Sequence, residues 1–248
     1  MKHILCGLGL LLGLSAPAWS LSCVPKPAYT ITHTGNVYPD SVLWLRSDEM
    51  PSQAPITVSD VDVLQEGKAV PKLQTLPTRI GAYTGFKPAP ALQSGLGYQV
   101  LLRDVSRDSD YMREVANRFT VAAAKPLPTL AWQQRPRLKQ VGHHQGAWGD
   151  SGNIMWTLQT NVPRQDYLVV LKLAAQADMQ QAKTFVLKPE DLNGETVVGV
   201  SFGPCQYGPE AYVFAKNSTV WATFDLLSHD GHLTAWTDKP ERFKLKLK

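Results

Sequence analysis

Thr219-Val220-Trp221-Ala222-Thr223-Phe224-Asp225 runs to His229-Asp230-Gly231-His232, and Leu233-Thr234-Ala235-Trp236 follows. The first run is apolar, aromatic and β-branched, the composition of a strand. Asp-Gly between two such runs is a hairpin signal, because both residues tolerate the positive φ that tight strand connections need. The stretch therefore predicts two antiparallel strands turning at Asp230-Gly231.

Working outward, the same pattern recurs. Asn153 to Leu158, Tyr167 to Leu173, Thr184 to Leu187 and Thr196 to Val200 read as strands, and Phe243 to Lys248 as an edge strand with its lysines outward. Upstream, Ser41 to Arg46 reads as a buried strand after the Tyr38-Pro39-Asp40 turn. Val58 to Leu64 and Val70 to Leu76 flank Glu66-Gly67-Lys68 as a hairpin, and Tyr98 to Leu102 and Arg118 to Val121 complete that half. Helical periodicity is nearly absent. Ala174 to Lys183 is the one stretch of helical composition, and an ordinary polar loop fits it equally. Ala122-Ala123-Ala124-Lys125-Pro126-Leu127-Pro128-Thr129 is the clearest break, since proline stiffens a connector and cannot join a central strand. The expectation is an all-β chain of two tandem β sandwiches, residues 23–122 and 131–248, joined by a linker at 123–130.

Two segments carry a resemblance. Leu92-Gln93-Ser94-Gly95-Leu96-Gly97-Tyr98-Gln99-Val100 resembles the tyrosine corner of immunoglobulin-like and fibronectin type III domains. That resemblance implies that the Tyr98 hydroxyl ties the turn back to the strand. Ala222-Thr223-Phe224-Asp225 with the later Asp230-Gly231 turn is similar to the last hairpin of bacterial exported fibronectin type III-like domains, with extra residues between. The resemblance implies an immunoglobulin-like sandwich followed by a fibronectin type III-like one.

Residues 1–22 read as a secretory signal: Lys2, an apolar run from Ile4 to Leu14, then Ala16, Ala18 and Ser20 at cleavage spacing. A periplasmic or secreted location is expected. No later stretch is long and apolar enough to span a bilayer. Loss of Cys6 with the signal leaves Cys23 and Cys205, and an even count in an exported chain reads as one disulfide. Unpaired thiols, or a lipid anchor at Cys23, are the alternatives. Loss of Lys2 takes the net charge from +4 to +3. The basic residues are scattered, which gives nucleic acid little support as a partner.

No nucleophile–base motif and no phosphate-cradling loop appear, so no catalytic residue and no cofactor is assigned. His143 and His144, in what reads as a long polar loop from Val141 to Asp150, are candidate metal ligands. So are His229 and His232, which a two-residue turn would set opposite each other. Solvated loops explain all four as simply. Trp132 and Trp148 in linker and loop sequence, and Tyr207 in the segment from Phe202 to Glu210, are candidate contact residues, because an exposed aromatic stacks on a sugar or anchors a protein. Packing between the halves is the other reading of the tryptophans. Trp44, Trp156 and Trp221 read as core. The function expected is a non-catalytic binding or structural module contacting a protein or glycan of the cell envelope or exterior. A hydrolase with a site between the domains and a histidine-based metal-handling protein are the rivals.

Overall fold

A computed structural model describes residues 29–47, 57–102, 117–146, 149–202 and 218–245. The first half contains β1 (Tyr29–Thr32), β2 (Leu43–Ser47), β3 (Val61–Gln65), β4 (Lys68–Ala69), β5 (Lys72–Ile80), β6 (Tyr83–Ala89), β7 (Gly97–Leu102) and β8 (Asn117–Thr120). The second contains β9 (Trp132–Gly146), β10 (Gly149–Thr160), β11 (Tyr167–Ala174), β12 (Lys183–Leu187), β13 (Glu190–Leu192), β14 (Glu195–Phe202), β15 (Thr219–Ser228), β16 (Leu233–Thr234) and β17 (Glu241–Lys244). The chain is all-β, as expected. Among the described residues the only helical elements are 3-10 turns, at Val58–Asp60 and Arg164–Asp166. The stretch from Ala174 to Lys183 leaves β11, makes turns and enters β12.

The strands form four antiparallel sheets. Sheet I has the order β1-β2-β6-β5 and sheet II the order β4-β3-β7-β8. Sheet III runs β13-β14-β10-β9, and sheet IV runs β12-β11-β15-β16 with β17 also on β15. Counted from its own first strand, each half repeats one plan: strands 1-2-6-5 in one sheet and 4-3-7-8 in the other.

Side-chain alternation decides which faces meet. Leu43, Leu45 and Phe86 of sheet I share a core with Val61, Val63, Tyr98 and Val100 of sheet II. Ile154, Trp156 and Val198 of sheet III share one with Val169, Leu171, Phe185 and Phe224 of sheet IV. A third apolar layer joins the halves. Val42, Trp44, Ile80 and Tyr83 of sheet I pack on Leu168, Val170, Val186 and Leu227 of sheet IV. This explains the unbroken apolar run of β11: odd-numbered residues from Tyr167 to Leu173 face sheet III, while Leu168 and Val170 face the first half. A strand covered on both faces has no reason to alternate.

Local chemistry sets the turns. Glu66 and Gly67 both take positive φ, 49° and 78°, and close a two-residue hairpin between β3 and β4. The expected hairpin was longer. The return is β4 alone, and the chain then crosses to sheet I as β5, while Val58–Asp60 precedes β3 as a 3-10 turn. The Tyr98 hydroxyl accepts a hydrogen bond from Gln93 N–H at 3.0 Å, the tie expected of a tyrosine corner. Trp44 and Trp156 are buried, but Trp221 is not core: it lies at the β15–β17 pairing, with the Arg242 guanidinium 6.0 Å from its ring centroid.

Candidate functional site at the junction of the halves

Three pieces of chain meet at one buried carboxylate. Asp166 ends the turn before β11, and its side chain is fully buried. It accepts hydrogen bonds from Asn36 Nδ2 and Tyr38 Oη of the first half, each at 2.6 Å. The linker supplies the third: Lys125 Nζ donates at 3.1 Å. Backbone bonds run alongside, from Asn36 N–H to Gln165 O and from Val42 N–H to His229 O, both 2.7 Å.

Burial alone pushes the Asp166 carboxyl up, but the bonds from Tyr38, Asn36 and Lys125 outweigh it and hold the group below its usual range. Burial, with Asp166 alongside, pushes the Tyr38 hydroxyl up. Tyr38 and Asp166 together hold the Lys125 ammonium above its ordinary value.

A cleft of about 380 Å³ opens beside this node, lined by Asp40, Lys125, Asp166, Ser228, His229, Asp230, His232 and the linker from Leu127 to Leu130. The turn after β15 shapes it. Leu227 pairs with Leu233, Ser228 N–H donates to His232 O, and Gly231 takes φ 90°. The loop is thus the three residues 229–231, not the two predicted. Its Asp230 accepts from the Ser228 hydroxyl and the His232 N–H. Burial pushes that carboxyl up, but these bonds and the nearby His229 hold it below the ordinary value.

The extra loop residue separates the two histidines expected to face each other. His229 turns toward the first half, with Nε2 3.3 Å from Asp40 and its ring edge-on to Tyr38 at 4.8 Å, whereas His232 is exposed. His143 and His144 are not on a loop. They lie in β9, paired with Gly152 and Ser151 in sheet III, while the His229 turn belongs to sheet IV. Among the described residues no group of three His, Cys, Asp or Glu side chains is placed to hold a metal ion. The two candidate pairs are thus placed in different sheets, and His143 and His144 sit in a strand where neighbours point apart.

Trp132 is part of β9 and packs on the core of the second half, edge-on to Trp236 at 6.0 Å between centroids. It is not an exposed contact residue. Cys23, Cys205, Trp148, Tyr207 and the signal segment lie outside the described residues. Asn36, Tyr38, Asp40, Lys125 and Asp166 were not among the expected site residues. One hint was available: an acid directly before the apolar run Tyr167–Leu173 is carried into the interior and requires partners. Which residues supply them depends on how the halves dock.

No family model matches the sequence, and no curated protein matches it. Solved structures do match. The FN1–FN3 domains of chicken CNTN1 align over 90% of this chain and 66% of that one, at 7% identity and a TM-score of 0.27. Purple acid phosphatase PPD1 of yellow lupin seeds aligns over 84% of this chain and 38% of that one, at 9% identity and 0.28. Type I pullulanase of Bacillus subtilis aligns over 84% and 24%, at 10% identity and 0.19. The chain spans less than two thirds of each of these, and at such scores none carries fold or function across. No described helix is long and apolar enough to cross a membrane.

Proposed function

We propose that the chain is an exported two-domain module that works by binding or by holding a fixed geometry, contacting a protein or glycan of the cell envelope or exterior. The observation that carries this reading is the docking of the halves. Asn36, Tyr38 and Lys125 bond to Asp166 across the junction, and an apolar layer packs beside them. Such a joint keeps two surfaces at a constant angle, which is what a spacer or adaptor needs.

The finer fold belongs to the same proposal: an immunoglobulin-like sandwich over 23–122, a linker at 123–130 and a fibronectin type III-like sandwich over 131–248. The repeated plan supports it. Strands 1-2-6-5 and 4-3-7-8 correspond to the ABED and CFG sheets of the immunoglobulin sandwich, with one short strand added beside C. Four sheets also suit four blades around an axis; the apolar clusters that join II to I, I to IV and IV to III are what support the sandwich reading. A signal over 1–22 and a Cys23–Cys205 disulfide complete the reading, and the bond would staple the halves a second time.

The end of the β9–β10 hairpin is a candidate contact surface. Beyond the Gly152–Phe202 pair, Ser151–His144, Asp150–Gln145 and Gly149–Gly146 continue the β9–β10 pairing among the described residues. The test is a pull-down of the mature protein from its own envelope fraction, beside a glycan array. A captured protein or glycan supports the reading. Silence in both, with turnover of a substrate, overturns it.

A further inference from the structure

At the junction Asp166 is matched by three donors, whereas on the outer face of sheet III part of the polar lining is left over, although the Thr157 hydroxyl leans on Arg137 O at 3.4 Å. A groove of about 680 Å³ crosses β9 and β10 beside the turn at Arg164. That is within the roughly 300–1,000 Å³ of ligand clefts. An irregularity in strand register builds it. Thr157 pairs with Arg137, and Gln159 pairs with Gln134, so three steps on β9 oppose two on β10. Thr157 and Gln159 face away from the buried Trp156 and Leu158. The extra β9 residue therefore brings Arg137 and Gln134, an odd number apart, to that same outward face.

Gln134, Arg137 and Gln159 are exposed, and among the described residues no protein group bonds their side-chain amides or guanidinium. The other cations of the groove are matched. Arg135 meets Asp238 and Glu241, Lys139 meets Glu195, and Arg164 meets Asp191. Arg137 is left as the unmatched charge of the described lining.

We propose that this groove binds an oligosaccharide bearing a carboxylate, with Arg137 gripping the carboxylate and Gln134, Gln159 and Thr157 taking ring hydroxyls. The proposal rests on the glycan arm of the function above. A guanidinium meets a carboxylate through two parallel N–H donors, and primary amides donate and accept at once, as adjacent sugar hydroxyls require. A protein partner is the weaker fit. Protein interfaces draw their energy from apolar or aromatic anchors in dry pockets. Here Leu158 and Val162 belong to the core, and Trp132 is packed on Trp236.

The test is calorimetric titration of the full chain with tetramers of galacturonate and of mannuronate, and with neutral galactotetraose. An acidic tetramer is expected to bind, more weakly as salt rises. Arg137→Ala is expected to weaken it at least tenfold, Arg137→Lys severalfold because the fork is lost, and Gln134→Ala with Gln159→Ala about tenfold together. All three positions are exposed, so unchanged thermal unfolding of the variants is the check on folding. The site is overturned if neither acidic tetramer binds, if the neutral tetramer binds as tightly, or if Arg137→Ala changes nothing. An envelope protein captured equally by wild type and Arg137→Ala would also overturn this site, while leaving the two-domain module standing.

Discussion

The Asp166 side chain ties three separate pieces of chain together. Its carboxylate joins Asn36 and Tyr38 of one half, Lys125 of the linker and the start of β11. Asp166→Asn turns an acceptor-only group, met by three donors, into one that places an NH2 donor against Lys125 or against Asn36 and Tyr38. We expect it to cost about 2–3 kcal/mol, read as a lower urea midpoint at unchanged slope. Lys125→Met is expected to cost much less, since that side chain is half exposed. The acid limb follows from the depressed folded value of Asp166. Its contribution is complete above the ordinary carboxylate value of about 3.9 and disappears as pH falls through the lower folded value. Asp166→Asn should make the limb shallower and leave the share of Asp230, whose carboxyl is also held down. Tyr38 gives the alkaline limb. Its raised folded value adds stability below about pH 10 that disappears as pH rises through the folded value, and Tyr38→Phe should shrink that limb while leaving the share of Tyr167, which burial also raises.

At the scale of elements, most strands were legible and their connections less so. The apolar runs in β2 and β11 announced burial because a strand covered on both faces cannot alternate. Asp230-Gly231 announced a hairpin, but two-residue and three-residue loops use the same chemistry, so the loop length was not readable. The pairing through Gly146 and Gly149 reads as a loop in the sequence, because its polar and glycine residues carry no apolar alternation to mark a strand. Register also fixes one backbone contact that composition does not reveal. Gly81, at φ 56°, sits in the turn between β5 and β6, and a Cβ there would lie 2.9 Å from Thr184 Cβ in β12. Gly81→Ala is expected to cost about 2 kcal/mol, part from the left-handed backbone and part from crowding. In a Thr184→Gly background the crowding share should vanish and the backbone share remain, a difference that a double-mutant cycle in denaturant measures.

For the whole molecule, the third apolar layer means that neither half has a finished surface without the other. Trp44, 1% exposed, is its largest member. We expect the wild type to unfold in urea as one transition, followed alike by fluorescence and circular dichroism. Trp44→Ala should cost about 3–5 kcal/mol and split the curve into two transitions. Two transitions in the wild type would refute the coupling. Little of this was visible beforehand. The stretch from Ala122 to Thr129 lies outside any strand, but a connector says nothing about whether the pieces it joins touch. The groove on sheet III was equally hidden, since Gln134, Arg137 and Gln159 converge only through a one-residue slip in pairing.

The docked layer also changes what the connecting peptide is for. Residues 123–129 are largely exposed and outside any strand, an open target for a protease. A single nick there, between Pro126 and Thr129, should leave both fragments travelling together through a sizing column until denaturant is added. On that reading, covalent continuity serves assembly during synthesis, and the finished molecule behaves as a heterodimer that happens to be encoded in one piece.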